Sequence, residues 1–510
     1  MRNILITGAT SGIGLELARI YYGQGDRLVL VGRRPLSSLS DPIFSRNNYC
    51  QVDLGLEESH LFIAGWLAQR QINSLDLLIH NAGIGWSGNP ADQSPQAIAE
   101  MIQVNLKAPI ALTYTLFDHL VKARGKAVFV SSVASVLPTA EYATYTASKA
   151  ALDGFARSLA IETNGRFSVQ VLHPGATRTD MHSKIGMAPE KYEKFRSAAE
   201  VALDMAFAIE QGGRNVAIGL GNKVLRGVGR KFPNLLEKMM RKKSGDLANE
   251  SAPAHIVVTG GADGIGAAIV KKFAAEEPNS CVTILDVDVD RGEKLAHDLG
   301  PNVVFIKADL SDIESVENAA NALVQMPSVT VLINNAGISA AGHFESMPLG
   351  KQLKVIDINL TGALVLTTLL MRQNSLAVGH QQVYLSSLSK FVGYPGAAVY
   401  SASKDGLASF AASMQVANVS GGRSLTVYPG PTRTAHARRY SPDNSREEKR
   451  MPPEEVAEQV YQNVVKGKRN LFPGGSAKTF AVFGRLLPRV AELAMKKTIY
   501  DKLEAPSDSG

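Results

Sequence analysis

Cysteine is scarce in this chain: Cys50 and Cys281 are the two among 510 residues. Two thiols cannot build a disulfide framework, which excludes a disulfide-stapled secreted scaffold and makes a reducing cytoplasm the natural setting. Both lie in or beside apolar, strand-like runs, where a thiol serves as a small hydrophobe rather than a redox or metal centre, so no metal site is expected. Charge of one sign is also missing. Lys and Arg total 54 against 47 Asp and Glu, a net +7, and no nucleic-acid-reading motif gathers the basic residues. No uninterrupted apolar run is long enough to span a bilayer. The first strand-like run, Ile4-Leu5-Ile6, leaves no room for a secretory leader, so a soluble, cytoplasmic protein is expected.

What the chain does have is a repeat. The segment Ile4 to Gly14 returns as Ile256 to Gly266, Asn81-Ala82-Gly83 as Asn335-Ala336-Gly337, and Asn105-Leu106 as Asn359-Leu360. Tyr145 to Lys149 returns as Tyr400 to Lys404, and Pro174-Gly175 as Pro429-Gly430. Five landmarks keep their order while the offset drifts only from 252 to 255, the mark of a duplicated or fused unit. The length exceeds what one core usually serves. We therefore expect a first domain over 1–245, a polar linker over 246–254 and a second domain over 255–510. In each half short apolar runs (Arg27 to Val31, Leu75 to Ile79, Ala127 to Val130, Val169 to Leu172; then Val282 to Leu285, Val303 to Ile306, Thr330 to Ile333) alternate with longer amphipathic stretches. Strands apolar on both faces mean a parallel sheet covered by helices. The fold class expected is α/β, two doubly wound parallel-sheet Rossmann-fold domains in tandem.

A glycine-rich turn follows the first strand of each half: Gly8, Gly12, Gly14, then Gly260, Gly264, Gly266. The first glycine permits the turn, the second lets backbone approach a pyrophosphate, and the third lets helix and strand pack closely. Ser11 and Ile13, with Asp263 and Ile265, complete the two turns as cofactor contacts. The end of the second strand separates the halves. Asp286 stands 20 residues past Gly266, where an acid accepts from ribose hydroxyls and repels a 2′-phosphate, implying NAD(H). In the first half Gly32 takes that place and Arg33-Arg34 follow, able to pair with a 2′-phosphate, implying NADP(H). Asp53 and Asp309, after the third strands, are placed for the adenine edge.

The ordered set Thr7-Gly8-x-x-x-Gly12-Ile13-Gly14, Asn81-Ala82-Gly83, Ser132, Tyr145-x-x-x-Lys149, Pro174-Gly175 resembles the short-chain dehydrogenase/reductase family. So does Thr259-Gly260-x-x-x-Gly264-Ile265-Gly266, Asn335-Ala336-Gly337, Ser387, Tyr400-x-x-x-Lys404, Pro429-Gly430. Hydride transfer at a carbinol carbon needs a proton moved on or off oxygen, and a free tyrosine is a poor base at neutral pH. A lysine one helical turn away favours the phenolate. Tyr145 with Lys149, and Tyr400 with Lys404, are so spaced. The resemblance implies that the lysines also bind the nicotinamide ribose, and that Ser132 and Ser387 polarise the substrate oxygen. It further implies that Asn105 and Asn359 hold a relay water, while Asn81, Gly83, Pro174, Gly175, Thr177 and Thr179, with Asn335, Gly337, Pro429, Gly430, Thr432 and Thr434, contact the cofactor. His80, where Asn334 stands in the second half, reads as packed rather than catalytic.

Each half ends in a basic amphipathic stretch, Lys223 to Lys243 and Phe480 to Lys497. These suit packing or a lid over an apolar pocket better than contact with a membrane surface, though both uses fit Lys and Arg opposite an apolar face. The function expected is a bifunctional NAD(P)-dependent oxidoreductase interconverting secondary alcohols and ketones, on a small and hydrophobic substrate such as a hydroxyacyl or ketoacyl compound. One half oxidising while the other reduces would give net epimerisation or two steps of one pathway. The alternatives are a single catalytic half with the other as an internal pseudo-dimer partner, or a non-enzymatic NAD(P) sensor; an internal pseudo-dimer or a homo-oligomer is the assembly expected.

Overall fold

Runs of aliphatic and β-branched residues form fourteen strands in two sheets of the computed structural model, which describes residues 1–231, 237, 239–240, 254–441, 444–445 and 447–503. Of the linker expected at 246–254 only Ala254 is among the described residues, and most of the stretch from 232 to 243 also lies outside them. The first sheet contains β1 (Asn3–Thr7), β2 (Arg27–Gly32), β3 (Tyr49–Gln51), β4 (Leu77–His80), β5 (Lys126–Val130), β6 (Ser168–His173) and β7 (Asn215–Ala217). Its order is β3-β2-β1-β4-β5-β6-β7, with every neighbour parallel. The second contains β8 (His255–Thr259), β9 (Cys281–Asp286), β10 (Val303–Lys307), β11 (Val329–Asn334), β12 (Leu376–Leu385), β13 (Arg423–Val427) and β14 (Asn470–Leu471). It repeats the order as β10-β9-β8-β11-β12-β13-β14. The order reverses beside β1 and again beside β8, which opens a crevice at the carboxyl ends of the strands, the place where open parallel sheets bind ligands.

By packing, the chain divides into two units. One comprises Met1–Ser87, Ala99–Leu137 and Ser148–Pro233, the other Gly88–Ile98, Pro138–Ala147 and Asn234–Gly510. Each has its own core. In the first, Leu17 and Tyr21 of the helix Gly12–Gly23 and Met205 and Ile209 of the helix Ala198–Gln211 pack on Ile4, Ile6 and Leu30. In the second, Ile269 and Phe273 meet Val456 and Val460 over Ile256, Val258 and Ile284. Cys50 is buried in β3 and Cys281 half-buried in β9, both unpaired; burial pushes the Cys50 thiol up to about 12, so it stays a protonated hydrophobe.

Two details escaped the sequence. The long helix Pro95–Thr115 is interrupted by a π turn at Gln103–Lys107, and its counterpart by one at Asp357–Gly362. The second of these helices, Leu349–Arg372, is also long and apolar enough to cross a membrane by length and composition; its apolar window is 78% buried inside the fold, so it serves as a core helix.

His80 is buried, stacks on Phe129 at 4.7 Å and places Nε2 2.9 Å from Thr113 Oγ1. The Thr113 hydroxyl donates to Pro109 O, so the imidazole is the donor of the pair. It is a packing residue, as expected, and Asn334 makes the matching bond to Thr367 in the second unit. Burial pushes the His80 imidazole down to about 3. Its folded pKa therefore lies below the unfolded value near 6.5, so its contribution is intact above that pH and is lost as pH falls toward 3. We expect His80→Asn to remove about 2 kcal/mol of the stability lost on going from neutrality to about pH 5, read as a smaller shift of the urea midpoint between those two conditions.

Candidate active sites

The turn after β1 begins at Gly8, whose φ of +67° is left-handed and whose Cβ position is 2.8 Å from Ala82 Cα. A side chain there meets both strain and backbone. A Cβ at Gly14 would collide with the Gly8 carbonyl, and one at Gly266 with the Gly260 carbonyl. The helix can start this close to the strand only because those residues are glycine. Ser11, the N-cap, gives no side-chain bond to the first turn, which leaves its amides directed at the crevice for a phosphate. In the second unit Asp263 accepts from Gly264 N at 2.7 Å and pairs with Arg291 at 2.9 Å, so its charge is partly neutralised where a pyrophosphate would lie. These cradles fit a dinucleotide.

Asn81 and Asn335 turn out to hold the cradle. Nδ2 of Asn81 donates to the carbonyls of Thr7 (3.0 Å) and Gly8 (3.3 Å), and that of Asn335 to Thr259 and Gly260 (3.0 and 2.9 Å). Both donors of each amide are used on the turn, so any contact with the cofactor falls to the carbonyl oxygen or backbone. Thr179 and Thr434 reach the turn from the other side, their methyls 3.1 and 3.4 Å from the Cβ positions of Gly12 and Gly264. Thr177 and Thr432 donate back to Gly175 and Gly430 (3.0 and 3.1 Å), which stiffens the loops after Pro174 and Pro429.

At the ribose end, Asp286 Oδ2 accepts from Ala262 N at 2.9 Å and Oδ1 from Asp288 N at 3.1 Å, tying β9 to the glycine-rich turn. Gly32 leaves the corresponding space to Thr10, whose Cγ2 is 2.6 Å from its Cβ position. Arg33 is exposed and 3.8 Å from Asp53, and Arg34 donates to Ser38 O. Asp53 and Asp309 each accept from a backbone amide two residues on, at Gly55 and Ser311.

The catalytic sets lie at the carboxyl ends of β5 and β12. On the helix Ala143–Glu162, Lys149 Nζ donates to Val130 O at 3.0 Å; on Ala398–Ala417, Lys404 Nζ donates to Leu385 O at 2.9 Å. Ser131 and Ser386 donate to the backbone carbonyls of those lysines. Burial pushes both ammonium groups down to about 8, with Asp153 opposing the shift at Lys149. Burial and Tyr394 raise the Tyr400 phenol to about 12, partly offset by a hydrogen bond with Ser387. Lys404 Nζ, while donating to Leu385 O, stands 5.8 Å from the centroid of the Tyr400 ring. Ser132 and Ser387 accept from the amides two residues later, which fixes the side chains and leaves the hydroxyl protons to be donated.

Asn105 and Asn359 sit on the π turns. Asn105 Oδ1 accepts from Ile84 N (2.8 Å) while Nδ2 donates to Ile84 O (2.9 Å) and Ser148 Oγ (3.0 Å). Asn359 repeats this with Ile338 and Ser403. The side chain clamps the loop after Asn-Ala-Gly to the catalytic helix, so its Oδ1 and both Nδ2 hydrogens are engaged within the protein. Gly83 and Gly337 stand where Asn Oδ1 and Lys Nζ converge, both 3.1–3.3 Å from the Cβ positions.

Sequence reasoning missed two groups. His436 follows Thr434 on the helix Ala435–Tyr440, 6.5 Å from the Tyr400 ring and open to the cleft. The surrounding protein, Lys404 and Arg439 hold its imidazole down at about 4, so it is neutral. Met181 holds the matching position in the first half, its Sδ 3.3 Å from the Cβ position of Gly85. The second group is buried: His173 Nε2 lies 3.1 Å from Asp153, Arg226 pairs with Asp153 at 3.1 Å, and Ser135 bridges them at 2.8 and 2.9 Å. Burial opposes ionisation of Asp153, but the His173 and Arg226 partners more than offset it and hold the carboxyl well below its usual range. Burial lowers His173 despite Asp153, so the imidazole is neutral and donates. The network fastens the helix Leu220–Lys231 to the catalytic helix. At the 255-residue offset, Asp153, His173 and Arg226 become Ala408, Tyr428 and Ala481, which cluster with Phe391 and Phe472. The repeat offset held this signal: a charged triad replaced together by apolar residues.

The sequence profile of the short chain dehydrogenase family matches residues 2–190 and again 254–445. Dehydrogenase/reductase SDR family member 7B of Bos taurus is 30% identical over 236 residues, 42% of this chain and 72% of that protein. The uncharacterized oxidoreductase YciK of Escherichia coli K12 is 33% identical over 211 residues, 39% of this chain and 82% of its own length. Among solved structures, an N-terminal ketoreductase from a macrolactin assembly line has a TM-score of 0.59 at 13% identity and covers 92% of this chain and 85% of its own; the likeness is one of fold.

Arg226→Met should leave Asp153 buried without its guanidinium and cost about 3–5 kcal/mol in urea unfolding. The triple replacement Asp153→Ala, His173→Tyr, Arg226→Ala, which copies the second half, should recover most of that loss.

Proposed function

Because the chain belongs to the short chain dehydrogenase family in both of its halves, we propose that each half is a working NAD(P)-dependent dehydrogenase/reductase with its own substrate. The observation that carries this is the pairwise identity of the two catalytic frames. Lysine to strand-end carbonyl, serine to lysine carbonyl, and asparagine to loop and helix recur bond for bond. A half kept only for scaffolding has no physical need to bury an ammonium at such cost.

When bound, the nicotinamide supplies or takes the hydride at the carbinol carbon. The chain's part is to bind the carbonyl oxygen, orient it and manage its proton. In the reductive sense Ser387 donates a hydrogen bond to that oxygen and Tyr400 gives it a proton; the Lys404 ammonium favours the phenolate so formed, and a proton from solvent restores the phenol. Ser132, Tyr145 and Lys149 take the same roles in the first half. Substrates are small alcohols or ketones with an apolar body. The substrate-side pair Met181 and His436 divides them: an apolar wall in the first half, and in the second a neutral imidazole whose free nitrogen accepts from a further polar group.

The first half is assigned NADP(H) and the second NAD(H). Arg33, exposed and only 3.8 Å from Asp53, and Arg34 bring two guanidinium groups to the ribose end of the first crevice, and Asp286, locked by Ala262 and Asp288, presents a carboxylate in the second. The Thr10 methyl over Gly32 means that reversal by Gly32→Asp alone meets a clash, so the arginines are the cleaner target.

Two experiments test this. Tyr145→Phe and Tyr400→Phe, made separately, should each abolish one cofactor-dependent carbonyl reduction and spare the other; a silent variant would reduce that half to a scaffold. Arg33→Ser with Arg34→Ser should weaken NADPH binding roughly tenfold to hundredfold in calorimetric titration, with NADH binding unchanged.

A further inference from the structure

The helices Gly475–Leu486 and Pro488–Thr498 reverse the usual amphipathic arrangement. Their inward residues are small: Ala477, Ala481, Gly484 and Ala491 are buried. A Cβ at Gly484 would press on Val392 and the Phe391 carbonyl, so this face is packed as tightly as the backbone permits. The large apolar residues point out. Val482, Phe483, Leu486, Leu487, Val490 and Leu493 are all exposed, Leu486 at 72% and Leu493 at 67%. Six neighbouring large apolar side chains in water are a liability unless something covers them. The sequence pattern alone set the cations opposite the apolar face; the structure instead sets Arg489 and Lys497 on the same exposed side of the second helix as Leu493 and Val490.

Between 478 and 497 the cations are Lys478, Arg485, Arg489, Lys496 and Lys497, and Glu492 is the single acid. Arg485 lies over the Phe391 ring and Lys496 pairs with Asp501. Lys478, Arg489 and Lys497 have no ion-pair partner among the described residues. The face is therefore apolar at its centre and cationic throughout. A second copy would bring cation against cation. A protein groove would have to supply both acids and a broad apolar floor. An anionic bilayer supplies both at once: apolar side chains enter the boundary between headgroups and acyl chains while long basic side chains reach up to the phosphates.

We propose that this helix pair docks the protein on anionic lipid surfaces. The location gives the docking a consequence. Directly after the second helix, Tyr500 OH meets His343 Nδ1 at 2.9 Å, and Leu503 lies against Gly396. His343 follows the Asn335-Ala336-Gly337 loop and Gly396 precedes Tyr400, so the docking element abuts two loops that flank the second catalytic set. An apolar substrate dissolved in the bilayer would be delivered close to that site.

The test is flotation of the full chain with vesicles of phosphatidylcholine alone and of phosphatidylcholine with phosphatidylglycerol. Two double variants, Leu486→Gln with Leu493→Gln and Arg489→Gln with Lys497→Gln, are run beside it. All four positions are exposed, so the thermal midpoint and NADH binding should be unchanged in both variants. The expected result is flotation with the anionic vesicles only, reversed by salt. The Arg489→Gln, Lys497→Gln variant should weaken it roughly thirtyfold, since each basic side chain at the surface contributes about 1 kcal/mol, and the leucine variant should weaken it on the order of tenfold or more through lost apolar insertion. A wild-type chain that stays at the bottom with both vesicles, or that floats no better than the variants, would overturn the proposal. So would a wild-type dimer in sedimentation velocity that the leucine variant turns into a monomer, because the face would then belong to a second copy.

Discussion

Each active site is organised around an ammonium group buried at the carboxyl end of a parallel strand. Lys149 and Lys404 have left water, and a backbone carbonyl, Val130 O or Leu385 O, takes up part of the charge. Desolvation on this scale is costly, and burial holds both ammonium groups down at about 8. Other parts of the site follow from holding that group in place. The serine before each catalytic serine pins the lysine backbone; the asparagine on the π turn binds the neighbouring serine of the helix; and Gly83 or Gly337 makes room for Nζ. A π turn is a poor helix in isolation, and its presence at Asn105 and Asn359 is understandable as the local concession that aims the amide.

With the frame fixed, the two halves differ where the lysine is not involved. The tail helix of the first half is fastened by Asp153, His173, Ser135 and Arg226, and that of the second by Tyr428, Phe391, Phe472 and two alanines. An ion network is directional and leaves little apolar surface demanding cover; an aromatic cluster is tolerant and packs small against large. The same backbone position thus carries two unlike interiors.

The fold was legible because its signals are local or repeated. Runs such as Leu28-Val29-Leu30-Val31 read as strands buried on both faces, and the glycine spacing marked the turns twice in register. The residues of the two candidate catalytic sets were legible as an ordered series. The short outer strands Asn215–Ala217 and Asn470–Leu471 were not, since two or three residues at a sheet edge carry no period. Nor were the duties of Asn81 and Asn105, because a motif position names a residue type while only distances reveal that its donors are already engaged.

Sequence by itself determined that there are two parallel α/β units, each with a glycine cradle, a serine, a tyrosine and a lysine at fixed spacing, and opposite charges at the two ribose ends. Those facts depend on period and order along the chain. Tertiary structure decided the burial of Tyr400, the partners of the asparagines, the charged latch on the first tail helix and the outward-facing leucines of the second. Each of these depends on what lies across a few ångströms of space between segments distant in sequence. Burial and hydrogen-bond partners are set there, and no reading along one dimension contains them.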